Sequence, residues 1–206
     1  MNFIGLSGSA SGGSSTDILI QAVLDGAASR DLKPEKASHI KTRLIRLNER
    51  QILPCQACGI SPEPDYCFFH DGMDELFNVM EKSEGIVLGS PIYFDSVSAQ
   101  TKLFIDRTNC LRPADFSDLS VQKFKEPRFK GKKGGIILVA GEYGKFEGAL
   151  RVARAFFIWA GIEIVFELKF QSKSLEVGEV KNDHLVLEEA GKCGRQLLAA
   201  VSGKHA

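Results

Sequence analysis

Apolar positions along the chain follow two spacings that take turns. Short unbroken runs at Asn2-Phe-Ile-Gly-Leu6, Gly85-Ile-Val-Leu-Gly89 and Gly135-Ile-Ile-Leu-Val-Ala140 are too brief for helices and read as buried strands. Thr42–Leu47 alternates loosely, and Ile162–Phe170 is rich in β-branched and aromatic residues, which predicts two more strands. Apolar residues three and four apart predict helices over Asp17–Leu24, Asp74–Met80, Ala99–Cys110, Ala149–Ala160 and Leu185–Val201. Gly161 stands where a left-handed cap would end the fourth of these.

Apolar strands alternating with helices imply an α/β fold, with a parallel sheet covered on both faces. Such sheets take ligands beyond the carboxyl ends of their strands, where the strand order reverses. Three loops then fall at one edge: Ser7–Thr16, Pro91–Val97 and Gly141–Gly144. Two stretches interrupt the alternation. Residues 48–71 are irregular, with three prolines and three cysteines, and residues 111–130 form a polar excursion containing Pro113 and Pro127. A shorter polar connection, 29–37, holds Pro34. With these as insertions, residues 1–206 read as a single domain.

Composition narrows the function more than the fold. Lys+Arg and Asp+Glu number 26 each, so the balance offers no attraction to nucleic acid or to an anionic membrane surface. Without a basic, apolar leader or a run of membrane-spanning length, the expectation is a cytoplasmic protein. Five cysteines, an odd number with three crowded together, argue against a disulfide scaffold.

The stretch Gly5-Leu-Ser-Gly-Ser-Ala-Ser-Gly-Gly-Ser-Ser-Thr16 joins the first strand to the first helix. Backbone N–H groups, hydroxyls and the positive end of a helix dipole meet there, which suits a phosphate. Gly13 is followed by Ser14 where a Walker loop needs Lys, and G-x-G-x-x-G is absent. What remains is a cradle of hydroxyls with no cation. Ser9, Ser11, Ser14, Ser15 and Thr16 can donate to a terminal phosphate such as that of FMN. A plain turn, with Ser15 or Thr16 as helix cap, fits the same residues.

Gly89-Ser-Pro-Ile-Tyr-Phe94 followed by Ser98-Ala-Gln-Thr-Lys-Leu-Phe-Ile-Asp-Arg107 closely resembles the NAD(P)H-dependent FMN reductases of flavodoxin-like fold, and within them the iron–sulfur flavoprotein branch. The resemblance runs from the first loop to at least Trp159. It implies a three-layer sandwich whose five-stranded parallel sheet has the order 2-1-3-4-5, bound FMN, and NAD(P)H as donor. It further implies a small-molecule or protein electron acceptor, and a homodimer or homotetramer with FMN near a subunit interface. Pro91 would stiffen the turn off the strand, and the backbone of Ile92, Tyr93 and Phe94 would meet the polar edge of the flavin ring, with Asp95 closing that loop. Tyr93 and Phe94 could flank the ring face or simply pack in a core or interface. Gly141, Glu142, Tyr143 and Gly144 resemble the third flavin loop, although Glu142 and Tyr143 could equally be solvated turn residues. No side chain need act as acid or base, because the flavin N5 takes the hydride. Family members often carry Arg after Gly-Ser-Pro, whereas here the order is Gly8-Ser-Ala-Ser11. Phosphate charge must then be met by amides and the helix dipole. Asp106 and Arg107 are expected to serve as a structural ion pair or helix-end charge.

Cys55-Gln-Ala-Cys58 and Cys67 occupy the place where the iron–sulfur branch carries four clustered cysteines and a [4Fe–4S] cluster, but the third position here is Ser61. Such clusters normally take four thiolates. Three outcomes stay open: a cluster with a fourth ligand that is not cysteine or comes from another subunit, a zinc site completed by His70, or a degenerate site. Cys110 and Cys193 are expected to pack within helices, and His39, His184 and His205 are assigned no chemistry. The sequence therefore predicts an FMN-dependent oxidoreductase. Its rivals are an iron–sulfur flavoprotein that carries electrons between proteins, and a module of this fold that has lost its flavin.

Overall fold

The structure, a computed structural model, describes residues 1–28, 40–62, 65–117 and 120–203. The connection 29–37, His39 and His205 lie outside the described residues. Five long strands, β1 (Asn2–Ser7), β2 (Lys41–Arg46), β3 (Gly85–Tyr93), β7 (Lys133–Ala140) and β8 (Glu163–Gln171), pair in the order β2-β1-β3-β7-β8, all parallel. Counted along the chain, that is the expected 2-1-3-4-5. Among the described residues three two-residue strands complete the set: β4 (Ser96–Val97) folds back on the end of β3, and β5 (Ala114–Asp115) pairs with β6 (Lys123–Phe124) inside the polar excursion.

Even in fully buried strands the side chains alternate between faces. Ile4, Leu6, Ile86, Leu88, Ile136 and Leu138 join a core with helices α2 (Gly72–Glu81), α3 (Ala99–Arg107) and α4 (Glu147–Ala160). Phe3, Val87 and Ile137 join the other core, against α1 (Ser15–Ala28) and α5 (His184–Val201). Alpha-four shows why the pattern is readable: Leu150, Ala153, Phe157 and Ala160 line its buried stripe, and Gly161 ends it at φ 79° as the cap. On the opposite face α1 and α5 cross closely enough that a Cβ on Gly194 would fall on the Val23 carbonyl oxygen.

Three local differences matter for the site. The cap of α1 is Ser14, whose Oγ accepts from the Asp17 N–H at 3.2 Å, rather than Ser15 or Thr16. Strand β3 runs on through Tyr93, so Pro91 lies inside the strand opposite Val139 and does not form the turn. Its lack of an N–H is harmless there. The Gly89 carbonyl faces β1 and accepts from Gly8 N–H at 2.8 Å, and Pro91, two residues further along β3 on the same side, lies past the end of the β1 pairing at Ser7. Finally, α3 stops at Arg107 and tightens into a 3-10 turn over Thr108–Leu111.

Candidate functional site

The loop after β1 is held by buried hydroxyls. Ser98 Oγ donates to the Gly8 carbonyl at 2.7 Å and lies 2.9 Å from Thr101 Oγ1, which in turn reaches Ser90 Oγ at 3.1 Å. Asn48 Nδ2 donates to the Ala10 carbonyl at 3.2 Å and is itself braced by Gln100. Ser9 Oγ folds inward onto the Ser11 carbonyl at 3.1 Å, and Ser15 Oγ accepts from Val180 N–H at 3.3 Å. Thr16 is buried at the start of α1, while Ser11 is exposed and Ser14 half-buried. The five hydroxyls thus divide between shaping the loop and facing its mouth.

Sequence reading missed the charge at this loop. Asp17 is buried and accepts from Ser7 Oγ at 2.5 Å and from Gly13 N–H at 3.0 Å. Arg46 is placed beside it because β1 and β2 pair Ser7 with Arg46. Its Nε lies 3.5 Å from Asp17 Oδ2, and the atom is buried with no hydrogen-bond partner among the described residues. A guanidinium that the loop lacks in sequence thus lies beside it from the neighbouring strand, itself paired with Asp17 and, at 2.9 Å, with Glu49. The residues present fit a phosphate. At Gly13, φ 67°, no atom lies within 4 Å of where a Cβ would be, so the loop is open above the helix end.

Beyond β3, Phe94 (φ 51°) and Asp95 (φ 56°) form a two-residue turn into β4. Both positive φ values define a type I′ geometry, which normally selects Asn or Gly. An aromatic residue held there is strained, a feature concentrated at functional sites. Phe94 is fully exposed, Tyr93 half-exposed and Ile92 buried. Asp95 Oδ1 accepts from Lys145 N–H at 3.0 Å and so ties this turn to the loop after β7. That loop, Gly141–Gly144, closes with Gly144 N–H on the Gly141 carbonyl at 3.0 Å and is braced by Gln171 Nε2, which donates to the Gly141 and Gly144 carbonyls. Glu142 and Tyr143 are exposed upon it. All three expected loops meet at the carboxyl edge of the sheet.

The cysteine loop forms a second centre. Asp71 caps α2 by accepting from Met73 N–H at 2.9 Å, and it also accepts from Leu53 N–H at 2.8 Å. Arg107 Nη1 binds Asp71 Oδ2 at 2.5 Å and the Leu53 carbonyl at 2.9 Å, so the helix-end charge is a buried ion pair, with Asp71 and not with Asp106. Asp106 pairs on the surface with Lys102. Beside these contacts lies a partly open cavity of about 120 Å³ lined by Cys55, Cys58, Cys67 and Cys110 together with Arg107 and Phe69. Arg107 Nη2 points at Cys67 Sγ (3.5 Å), Ala57 N–H at Cys55 Sγ (3.3 Å) and Asn109 Nδ2 at Cys55 Sγ (3.8 Å). Burial pushes the Cys110 thiol up to about 12, with Cys67 beside it adding to the rise. Cys110 does pack in the core as expected, but it also lines this cavity; Cys193 packs on the buried face of α5.

His70 does not complete a zinc set. Its ring is exposed and turned to Asp74 at 3.3 Å. Among the described residues no three His, Cys, Asp or Glu side chains converge tightly enough to hold a single ion. A four-iron cluster is bound at four separate irons, so its thiolates ring a cavity instead of converging on a point. The donor set here fits that arrangement: four cysteines around one cavity, with N–H groups aimed at two of the sulfurs.

An open parallel sheet of order 2-1-3-4-5, with its strand-end loops gathered at the switch between β1 and β3, defines a flavodoxin-like protein. The family profile described as NADPH-dependent FMN reductase matches residues 1–171, and the chain belongs to that family, making it an FMN-dependent oxidoreductase. An iron-sulfur flavoprotein of Methanocaldococcus jannaschii is 29% identical over 98% of this chain and 97% of its own length. A second iron-sulfur flavoprotein, from Archaeoglobus fulgidus, is 29% identical over 84% of this chain and 72% of its own. Among solved structures, a flavone reductase superposes with TM-score 0.68 at 18% identity, covering 98% of this chain and 63% of that longer one. RosB superposes with TM-score 0.71 at 13% identity, over 98% of this chain and 79% of its own. Among the described residues no helix is long and apolar enough to cross a membrane.

Proposed function

We propose that the chain is an NAD(P)H-dependent FMN reductase whose flavin phosphate sits in the Gly8–Thr16 loop and whose flavin ring lies between the Tyr93–Asp95 turn and the Gly141–Gly144 loop. One observation carries this reading. Three loops from three strands are sewn together at one sheet edge by Gly8 N–H on Gly89, Ser98 Oγ on Gly8 and Lys145 N–H on Asp95. Bound FMN would supply the redox chemistry, taking hydride from the nicotinamide and giving electrons to an acceptor. The protein's share is positional. Open N–H groups at the start of α1, the Ser14 and Ser11 hydroxyls and the Arg46 guanidinium would hold the phosphate. Backbone from Ile92 to Asp95 would meet the polar edge of the ring, and Tyr93, Phe94 and Tyr143 would screen it from water. Their exposure also favours a second copy of the chain over the ring, as in a homodimer or homotetramer. Five free cysteines favour a reducing, cytoplasmic setting.

Replacing Ser9 and Thr16 together with alanine is expected to weaken FMN binding at least about tenfold, roughly 1.4 kcal/mol. Ser9 shapes the loop from within, and Thr16 lies at the helix end. Titration of both proteins with FMN tests this, and equal affinity would sink the phosphate site. The donor is tested by adding NADH or NADPH without oxygen to the flavin-loaded chain alone. Bleaching of the flavin band supports the reductase. No bleaching with either, but bleaching by a reduced ferredoxin-type protein, supports the second reading. That reading is an iron–sulfur flavoprotein passing electrons between protein partners, and the four-cysteine cavity is what favours it.

A further inference from the structure

We propose that Cys110, outside the cysteine loop, supplies the fourth thiolate of a [4Fe–4S] cluster also held by Cys55, Cys58 and Cys67, and that Ser61 takes no part. The proposal rests on the reading that this cavity holds a cluster. Within that reading it assigns a ligand that the loop motif lacks.

First, Cys110 lines the same cavity as the three loop cysteines, whereas Ser61 is not part of its lining. The Ser61 hydroxyl is turned into protein, buried and without a hydrogen-bond partner among the described residues. Second, the 3-10 turn aims Cys110. In such a turn residues three apart eclipse, so Cys110 stands over Arg107, with its Sγ 3.3 Å from the Arg107 carbonyl. Arg107 is the cavity wall, locked by Asp71 and Leu53. Third, the same turn carries Asn109, whose Nδ2 points at Cys55 Sγ. The turn thus brings one donor toward a loop sulfur and one sulfur of its own. The other candidates are worse placed: His70 is turned away, and serine is the harder group to deprotonate. On ligation each of the four thiols loses its proton to solvent and binds one iron as thiolate.

The test uses the full chain, purified without oxygen and reconstituted with ferric iron, sulfide and a dithiol that reduces part of the iron, as wild type, Ser61→Ala and Cys110→Ser. Iron and acid-labile sulfide are assayed, and spin-resonance spectra are taken after dithionite reduction. Wild type and Ser61→Ala are expected to hold about four iron per chain with the same spectrum. Cys110→Ser is expected to lose at least about a quarter of the iron, one of four, and to show a changed spectrum. Full iron and an unchanged spectrum in Cys110→Ser, or iron loss in Ser61→Ala, would overturn the assignment while leaving the cluster reading intact. Wild type that takes up no iron or sulfide would overturn the cluster reading itself. Far-ultraviolet circular dichroism and FMN content report whether each variant folds. Should Cys110→Ser fail to fold, iron X-ray absorption of the loaded wild type decides. A first shell of sulfur alone supports Cys110, and an oxygen neighbour overturns it.

Discussion

Asp71→Ala is expected to cost about 3–5 kcal/mol of stability, the range for removing one partner of a buried ion pair. The Arg107 side chain is 1% exposed and that of Asp71 7%, so the guanidinium left behind would stay buried without a counter-charge. The same carboxylate caps α2 and holds the Leu53 N–H, so three elements come loose together. Replacing Arg107 and Asp71 jointly with Met and Asn should cost less than Asp71→Ala alone, because no charge is then stranded. Denaturant melts of the three proteins measure this, and a loss under about 1 kcal/mol for Asp71→Ala would show the pair to be solvated after all. The pH dependence has a definite sign. Burial alone would raise the Asp71 carboxyl, but the bonds from Arg107, Leu53 N–H and Met73 N–H outweigh it and hold the group below its usual value. Its contribution is therefore complete above the unfolded-state value, about 3.9, and fades as pH falls through the lower folded one. Melts between pH 5 and the acid limit should show wild type losing stability relative to Asp71→Ala only below about pH 4.

That ion pair also marks where sequence reading reaches its limit. Three strands are plain as apolar runs because both their faces are covered, and strand polarity places the three loops at one edge of the sheet, while flavin enters only through the family resemblance. Arg46 was not legible. It is remote from the phosphate loop in sequence and comes beside it only through the Ser7–Arg46 register of β1 and β2. The turn at Phe94 and Asp95 was hidden because it lacks the Asn-Gly signature of its type, strain having replaced propensity there. Cys110 was legible as a helical residue and so was assigned to packing. The predicted helix runs through it to its end, and nothing in the sequence marks the tightening from α to 3-10 over Thr108–Leu111 where Cys110 lines the cavity. Arg46 and Cys110 matter through contacts between segments and the Phe94–Asp95 turn through local strain, whereas the elements that periodicity reveals are each periodic within one segment.

Gly8→Ala is expected to weaken FMN binding on the order of a hundredfold, about 2.7 kcal/mol, the larger of the two effects expected at the phosphate loop. Gly8 lies at the crossing of β1, β3 and α3. Its N–H bonds the Gly89 carbonyl and its carbonyl accepts from Ser98 Oγ. A methyl group there would fall on Thr101 Oγ1 and lie 2.9 Å from Ser98 Oγ. Overpacking of this kind costs about 1–3 kcal/mol, and the mobile partner is the loop, since Thr101 is fixed within α3 by its place over Ser98 and Ser90. Relief therefore comes by displacing Ser9 onward, which moves the donors away from the phosphate. The steric origin is separable from a general loss of fold. Thr101→Ala in the same chain removes the nearest obstruction, so Gly8→Ala/Thr101→Ala should recover part of the lost affinity, a non-additivity measurable as a double-mutant cycle. FMN titrations of the four proteins, with melting temperatures alongside, decide it. Gly8→Ala binding FMN as wild type does would mean that the loop is not what holds the phosphate.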